Sequence, residues 1–172
     1  MTESFANPLS GEFDPQVLAE RNVPLVGELP TDSMHRLQAA AVSVTATVNI
    51  NLKLTRAKDG SCRMDGTIVH TLGLCCVRCL DEVEIPLHAT VKLALQCASE
   101  AFIEQPEGYD LYEYADNRLD LIRLVEDELL LALPLAPKHV DISLCNQGVI
   151  AWLVPDSTFE EHTQSPFAIL KR

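Results

Sequence analysis

The chain has 172 residues, 47% apolar and 22% charged, an ordinary globular composition with enough length to bury one sizeable core. Thirteen Lys and Arg against 25 Asp and Glu leave a formal charge of −12, the wrong sign for a protein held on bare nucleic acid by summed phosphate contacts. Apolar runs such as Leu129–Leu133 fall far short of the roughly 20 residues a membrane span needs. The opening MTESFANPLSGEFDP shows no basic or apolar leader region, so one soluble cytoplasmic domain over residues 1–172 is expected.

Residues 1–38 read as an irregular N-terminal segment with short helical turns. Asp14 before Pro15 caps a brief helix through Arg21, after which Pro24 and Pro30 keep the chain extended. Thr31, Asp32 and Ser33 offer caps for a second turn that carries Met34 and Leu37 inward. From Val42 the pattern becomes strict alternation, with Val42, Val44, Ala46, Val48, Ile50, Leu52 and Leu54 on one side, which predicts one half-buried strand. Lys58-Asp59-Gly60 supplies a turn, and Ile68, His70, Leu72 and Leu74 continue as the second strand of an antiparallel hairpin. His70 in that inward phase reads as a hydrogen-bonded core residue. A further long strand alternates from Val83 through Leu87 and Val91 to Cys97; Pro86 in its polar phase predicts a sheet edge or a bulge.

Residues 98–117 read as an acidic loop with Tyr109, Tyr112 and Tyr114. A long helix follows in RLDLIRLVEDELLLALP, where Leu119, Ile122, Val125, Leu129 and Leu133 recur at helical spacing, Asp116, Asn117 or Asp120 caps the start, and Pro134 stops the run. Residues 146–172 read as an extended tail. Its end carries Pro166, Phe167, Ile169 and Leu170, which dock either on their own domain or on a partner. The fold class is therefore α+β: a mainly antiparallel sheet, with barrel-like closure as an alternative, one long helix in the C-terminal half and short N-terminal helices.

Six cysteines, two of them adjacent, do not suit a secreted disulfide framework. The sharpest chemical feature is Cys76-Val77-Arg78-Cys79, whose spacing lets two thiolates reach one ion from a single tight turn. It is half of a zinc site, because zinc takes four nitrogen or sulfur ligands in a tetrahedron. His139 and Cys145, just past the helix, are the other close pair, so Cys76, Cys79, His139 and Cys145 are the candidate ligands of a structural zinc. Arg78 and Lys138 would offset the net negative charge of three thiolates on a divalent ion. Plain packing competes with this reading, since free cysteine is among the most buried residue types, and it is the expectation for Cys62, Cys75 and Cys97. The rival with a different chemistry is a thiol–disulfide redox protein using CVRC. Such catalysts place the attacking cysteine at a helix N-terminus, whereas Leu80-Asp81-Glu82-Val83 runs straight into a strand. The five histidines are scattered, and there is neither a GxSxG nor a phosphate-binding glycine loop. No catalytic residue and no small-molecule substrate are expected.

Charge is local. Ten acids fall between residues 98 and 128 against Arg118 and Arg123, which places eight of the twelve net negative charges in that window. A solvated loop and helix face account for this blandly; the alternative is a docking surface for a basic protein partner, with the tyrosines as anchors. Direct RNA binding would rest on a small patch of Arg21, His35, Arg36 and the Lys171-Arg172 end.

The knuckle and strand CVRCLDEVEIPL, the segment DLIRLVEDELLLALPLAPKHVDISLC and the terminal SPFAILKR, in that order over roughly residues 30–172, resemble the bacterial YceD family, the large ribosomal RNA subunit accumulation proteins. The family end is often NPFA-like where this chain has Ser165. The resemblance implies a non-enzymatic protein needed for 23S rRNA accumulation and large-subunit biogenesis, in contact with a large-subunit precursor through rRNA or ribosomal proteins. It places Cys76, Cys79 and Cys145 on family cysteines and His139 on a histidine in a Pro-x-His stretch.

Overall fold

The structure, a computed structural model, describes residues 11–58, 60–99 and 105–153. In chain order the elements are β1 (Glu12–Phe13), α1 (Pro15–Arg21), β2 (Pro24–Pro30), α2 (His35–Ala40), β3 (Ser43–Val44), β4 (Thr47–Arg56), β5 (Cys62–Cys75), β6 (Glu82–Cys97), β7 (Asp110–Tyr114), β8 (Leu119–Asp120), α3 (Leu121–Leu131) and α4 (Gln147–Leu153). A six-stranded sheet runs β2-β4-β5-β6-β7, with β3 also paired to β5, and β1 pairs with β8 as a separate ribbon. The α+β expectation holds. The barrel alternative does not, because β2 and β7 lie at opposite ends of the sheet and leave it open.

The long strands follow from their period-2 pattern. In β4 the residues Val48, Ile50, Leu52 and Leu54 are buried while Asn49, Asn51 and Lys53 face water. Met64, Ile68, His70, Leu72 and Leu74 of β5, and Leu87, Ala89, Val91 and Leu93 of β6, continue that inner face. Leu18 of α1, Leu37 of α2, and Leu121, Leu124, Val125 and Leu129 of α3 are buried in the same core. At Gly66 a Cβ would run into the Asn51 carbonyl oxygen, so β4 can approach this closely only over a glycine.

The single strand expected from Val42 to Leu54 is divided. Pairing with β5 shifts from Val44↔Leu72 to Asn49↔Val69, leaving two extra residues on the β3–β4 side. His70 braces this bulge: its Nδ1 lies 3.2 Å from the Thr47 carbonyl oxygen and 3.3 Å from Thr45 Oγ1. It is the hydrogen-bonded core residue the alternation implied, and burial lowers its pKa. Pro86 also sits as expected. It pairs with Thr71 on one side, whereas β7 flanks β6 only from Leu93 to Cys97, so among the described residues β6 is an edge at Pro86.

Four other expectations are corrected. The N-terminal segment is not irregular throughout, since Pro24–Pro30 pairs with β4 along its whole length. Within the supposed acidic loop, Asp110–Tyr114 forms a strand parallel to β6. The supposed tail opens with α4, where Asn146 Oδ1 accepts the Gly148 N–H at 3.1 Å. Glu126, read as part of a solvated face, is buried. It accepts the Arg36 and Leu37 amides at 2.8 and 3.2 Å, capping α2, whose own N-cap residue Met34 offers no side-chain acceptor. α1 and α3 start where the caps predict: Asp14 accepts the Gln16 N–H at 2.9 Å, and Asp120 accepts that of Arg123 at 3.1 Å. The tail residues Pro166, Phe167, Ile169 and Leu170, together with Asp59, Glu100 and Glu104, lie outside the described residues.

Candidate metal centre

Six residues, Cys76 to Asp81, join β5 to β6. The Cys76 N–H donates to the Asp81 carbonyl at 2.8 Å and the Leu80 N–H to the Cys76 carbonyl at 2.9 Å, with Leu80 in the left-handed region at φ 64. This knuckle turns both sulfurs inward. The partner segment follows α3: Pro134 and Pro137 keep it from continuing as helix, and the Val77 N–H fixes it to the knuckle by donating to the Pro137 carbonyl at 2.9 Å. A 3₁₀ turn over Ile142–Leu144, capped by Asp141, delivers Cys145.

Ligand atoms of Cys76, Cys79, His139 and Cys145 all lie within 4.8 Å of one another. His139 Nδ1 is 3.6 Å from Cys79 Sγ and 3.6 Å from Cys145 Sγ. The three cysteines are buried, His139 is half-buried, and Val83, Val149 and Ile150 pack around the sulfurs. Burial pushes the Cys76 thiol up, but hydrogen bonds from the backbones of Arg78, Cys79 and His139 and from the His139 ring outweigh it and bring it down to about 5. Cys145 moves the other way, up to about 11, through burial and the adjacent sulfurs of Cys79 and Cys76. Like charges this close cannot all form without a cation among them. Three sulfurs and one imidazole make a soft donor set, so the cluster could hold a metal ion.

The other cysteines divide. Cys62 and Cys97 are buried as expected, and burial pushes the Cys62 thiol up to about 11. Cys75 does not pack: it is exposed at the end of β5, one residue outside the inward phase, where its thiol donates to the Leu80 carbonyl at 3.3 Å. Arg78 is half-buried and its charge acts on Asp141, while Lys138 is exposed. Of the RNA patch, Arg36 is committed to Glu126 and Asp127, and Lys171-Arg172 lies outside the described residues. The tyrosines do not project as anchors: Tyr114 is buried, Tyr112 is half-buried, and Tyr109 donates to Asp65 at 2.9 Å beneath the Arg63 guanidinium. Missed from the sequence were Val77 and Pro137 as the joint between the two segments, which no residue-type signal marks.

The fold thus presents a sheet scaffold with a Cys3His cluster joining a strand hairpin to the segment after its long helix. The family model described as large ribosomal RNA subunit accumulation protein YceD matches residues 64–172, which include all four cluster residues. The chain belongs to that family. It is also similar to the large ribosomal RNA subunit accumulation protein YceD of Haemophilus influenzae, 27% identical over 160 residues that cover 91% of each chain. No solved structure matches. No described helix is long and apolar enough to cross a membrane.

Proposed function

We propose that this protein is a non-enzymatic cytoplasmic factor that supports 23S rRNA accumulation and large ribosomal subunit biogenesis, acting as one domain that binds a large-subunit precursor. The carrying observation is family membership together with a relative of that name aligned over nearly the whole of both chains. The exposed acids Glu113, Asp116 and Asp120 border a cleft in which acids outnumber the two arginines, Arg118 and Arg123, a balance that suits a basic segment of a ribosomal protein. Cosedimentation tests this reading. In a sucrose gradient of cell extract the protein should travel with large-subunit precursors, and its removal should deplete 23S rRNA; free protein at the top of the gradient and unchanged rRNA would refute it.

Cys76, Cys79, His139 and Cys145 hold a structural zinc in this reading. A tetrahedral ion with Zn–S near 2.3 Å and Zn–N near 2.1 Å sets sulfur–nitrogen edges of about 3.6 Å, the separation found on both sides of His139 Nδ1. The ion would clamp segments 60 residues apart, restricting the unfolded chain as a cross-link does. Insulin reduction abolished by Cys76→Ser would replace this reading with the redox one.

A further inference from the structure

Large apolar side chains left in water are concentrated around the metal centre. Val77 and Leu80 stand on the knuckle, Val140, Ile142 and Leu144 on the segment carrying His139 and Cys145, and Trp152 on α4; Val140 is 100% and Trp152 91% exposed. They belong to one end of the molecule, because the cluster atoms and the Val77–Pro137 hydrogen bond join knuckle to segment and Val149 and Ile150 of α4 pack on the same sulfurs. Together the six present on the order of 800 Å² of surface, more than the largest apolar patch of a typical monomer. A collar of this size is a docking surface.

We propose that its occupant is this chain's own segment 154–172, seated by Pro166, Phe167, Ile169 and Leu170. The described chain leaves α4 at Leu153, one residue past Trp152 and therefore on the collar. Twelve residues, 154–165, separate Leu153 from Pro166; they reach at most about 40 Å, enough to double back across it. A tether this short holds the apolar end at an effective concentration of about millimolar. A second copy at micromolar concentration would need an intrinsic affinity about a thousandfold higher to compete.

Trp152 is the chain's sole tryptophan and reports directly on the collar. Its emission and acrylamide quenching should be measured in the full chain and in the full chain carrying Phe167→Asp, Ile169→Asp and Leu170→Asp. The docked segment predicts blue-shifted emission independent of protein concentration, with a several-fold rise in quenching and a red shift in the triple variant. Fully water-exposed emission from the unaltered monomer would overturn the proposal. So would protection that survives the triple substitution, or that grows with protein concentration as a second copy covers the collar.

Discussion

Glu126→Ala should destabilise the protein far more than Asp127→Ala, although both acids contact Arg36. The Glu126 side chain is 7% exposed and accepts two first-turn amides of α2 plus Arg36 Nε at 2.9 Å, whereas Asp127 is 30% exposed and accepts from an outer guanidinium nitrogen of Arg36 at 2.6 Å and, at 3.5 Å, from the Tyr112 hydroxyl. Removing a helix cap costs about 1 kcal/mol, and losing the Arg36 guanidinium bonds to this nearly buried carboxylate adds a similar amount, for a total of about 2 kcal/mol. Asp127→Ala removes a screened pair worth under about 1 kcal/mol. Urea unfolding monitored by circular dichroism measures both. The pH profile adds a second readout. Burial pushes the Glu126 carboxyl up, but the Leu37 and Arg36 hydrogen bonds outweigh it and hold it below its ordinary 4.5. A depressed carboxylate contributes stability that is fully present above its unfolded value and lost as pH falls through the folded one. The gap between the unaltered protein and Glu126→Gln should therefore stay constant from neutral pH down to about 5 and close below 4.5. A Glu126→Ala loss no larger than that of Asp127→Ala, or a Gln gap unchanged through acid, would refute the clasp.

Gly66→Ala should cost at least about 2 kcal/mol in the same assay, because β4 must move off the Asn51 carbonyl or the strand pairing must open. Chelation should lower unfolding stability by about 4 kcal/mol, the value of closing a loop of this length, and Cys145→Ser should show no further loss under chelator. Of the six thiols, Cys75 should be modified first by maleimide in the loaded protein, with Cys76, Cys79 and Cys145 following only after chelation, as read by peptide mass spectrometry. Cys75→Ser should leave stability within about 0.5 kcal/mol.

Where chain chemistry acts locally, the sequence alone sufficed. Asp14-Pro15 starts α1 and the alternation of β4 through β6 assigns the inner face, because capping and the pleat are set by neighbouring residues. The β3–β4 break leaves no mark on the pattern for a physical reason: a two-residue bulge preserves the period-2 phase, so the alternation reads as unbroken. β7 is five residues with two acids, and its parallel partner lies across a connection that no local pattern encodes. Glu126 sits one position after Val125 and three before Leu129, on the buried stripe; helical spacing marked it, and charge masked it. In the Cys/His cluster the CxxC is legible and the second pair follows from proximity in sequence, while the Val77–Pro137 joint that brings the halves together is backbone chemistry.

In the proposed function, one zinc ion joins the knuckle after β5 to the segment after α3. Elemental analysis of the purified full-length protein beside its Cys76→Ser and Cys145→Ser variants addresses it most directly. One zinc per chain, absent from both variants, is the predicted result; a metal-free protein whose melting temperature does not respond to added zinc, or a variant that retains the full complement, would contradict it.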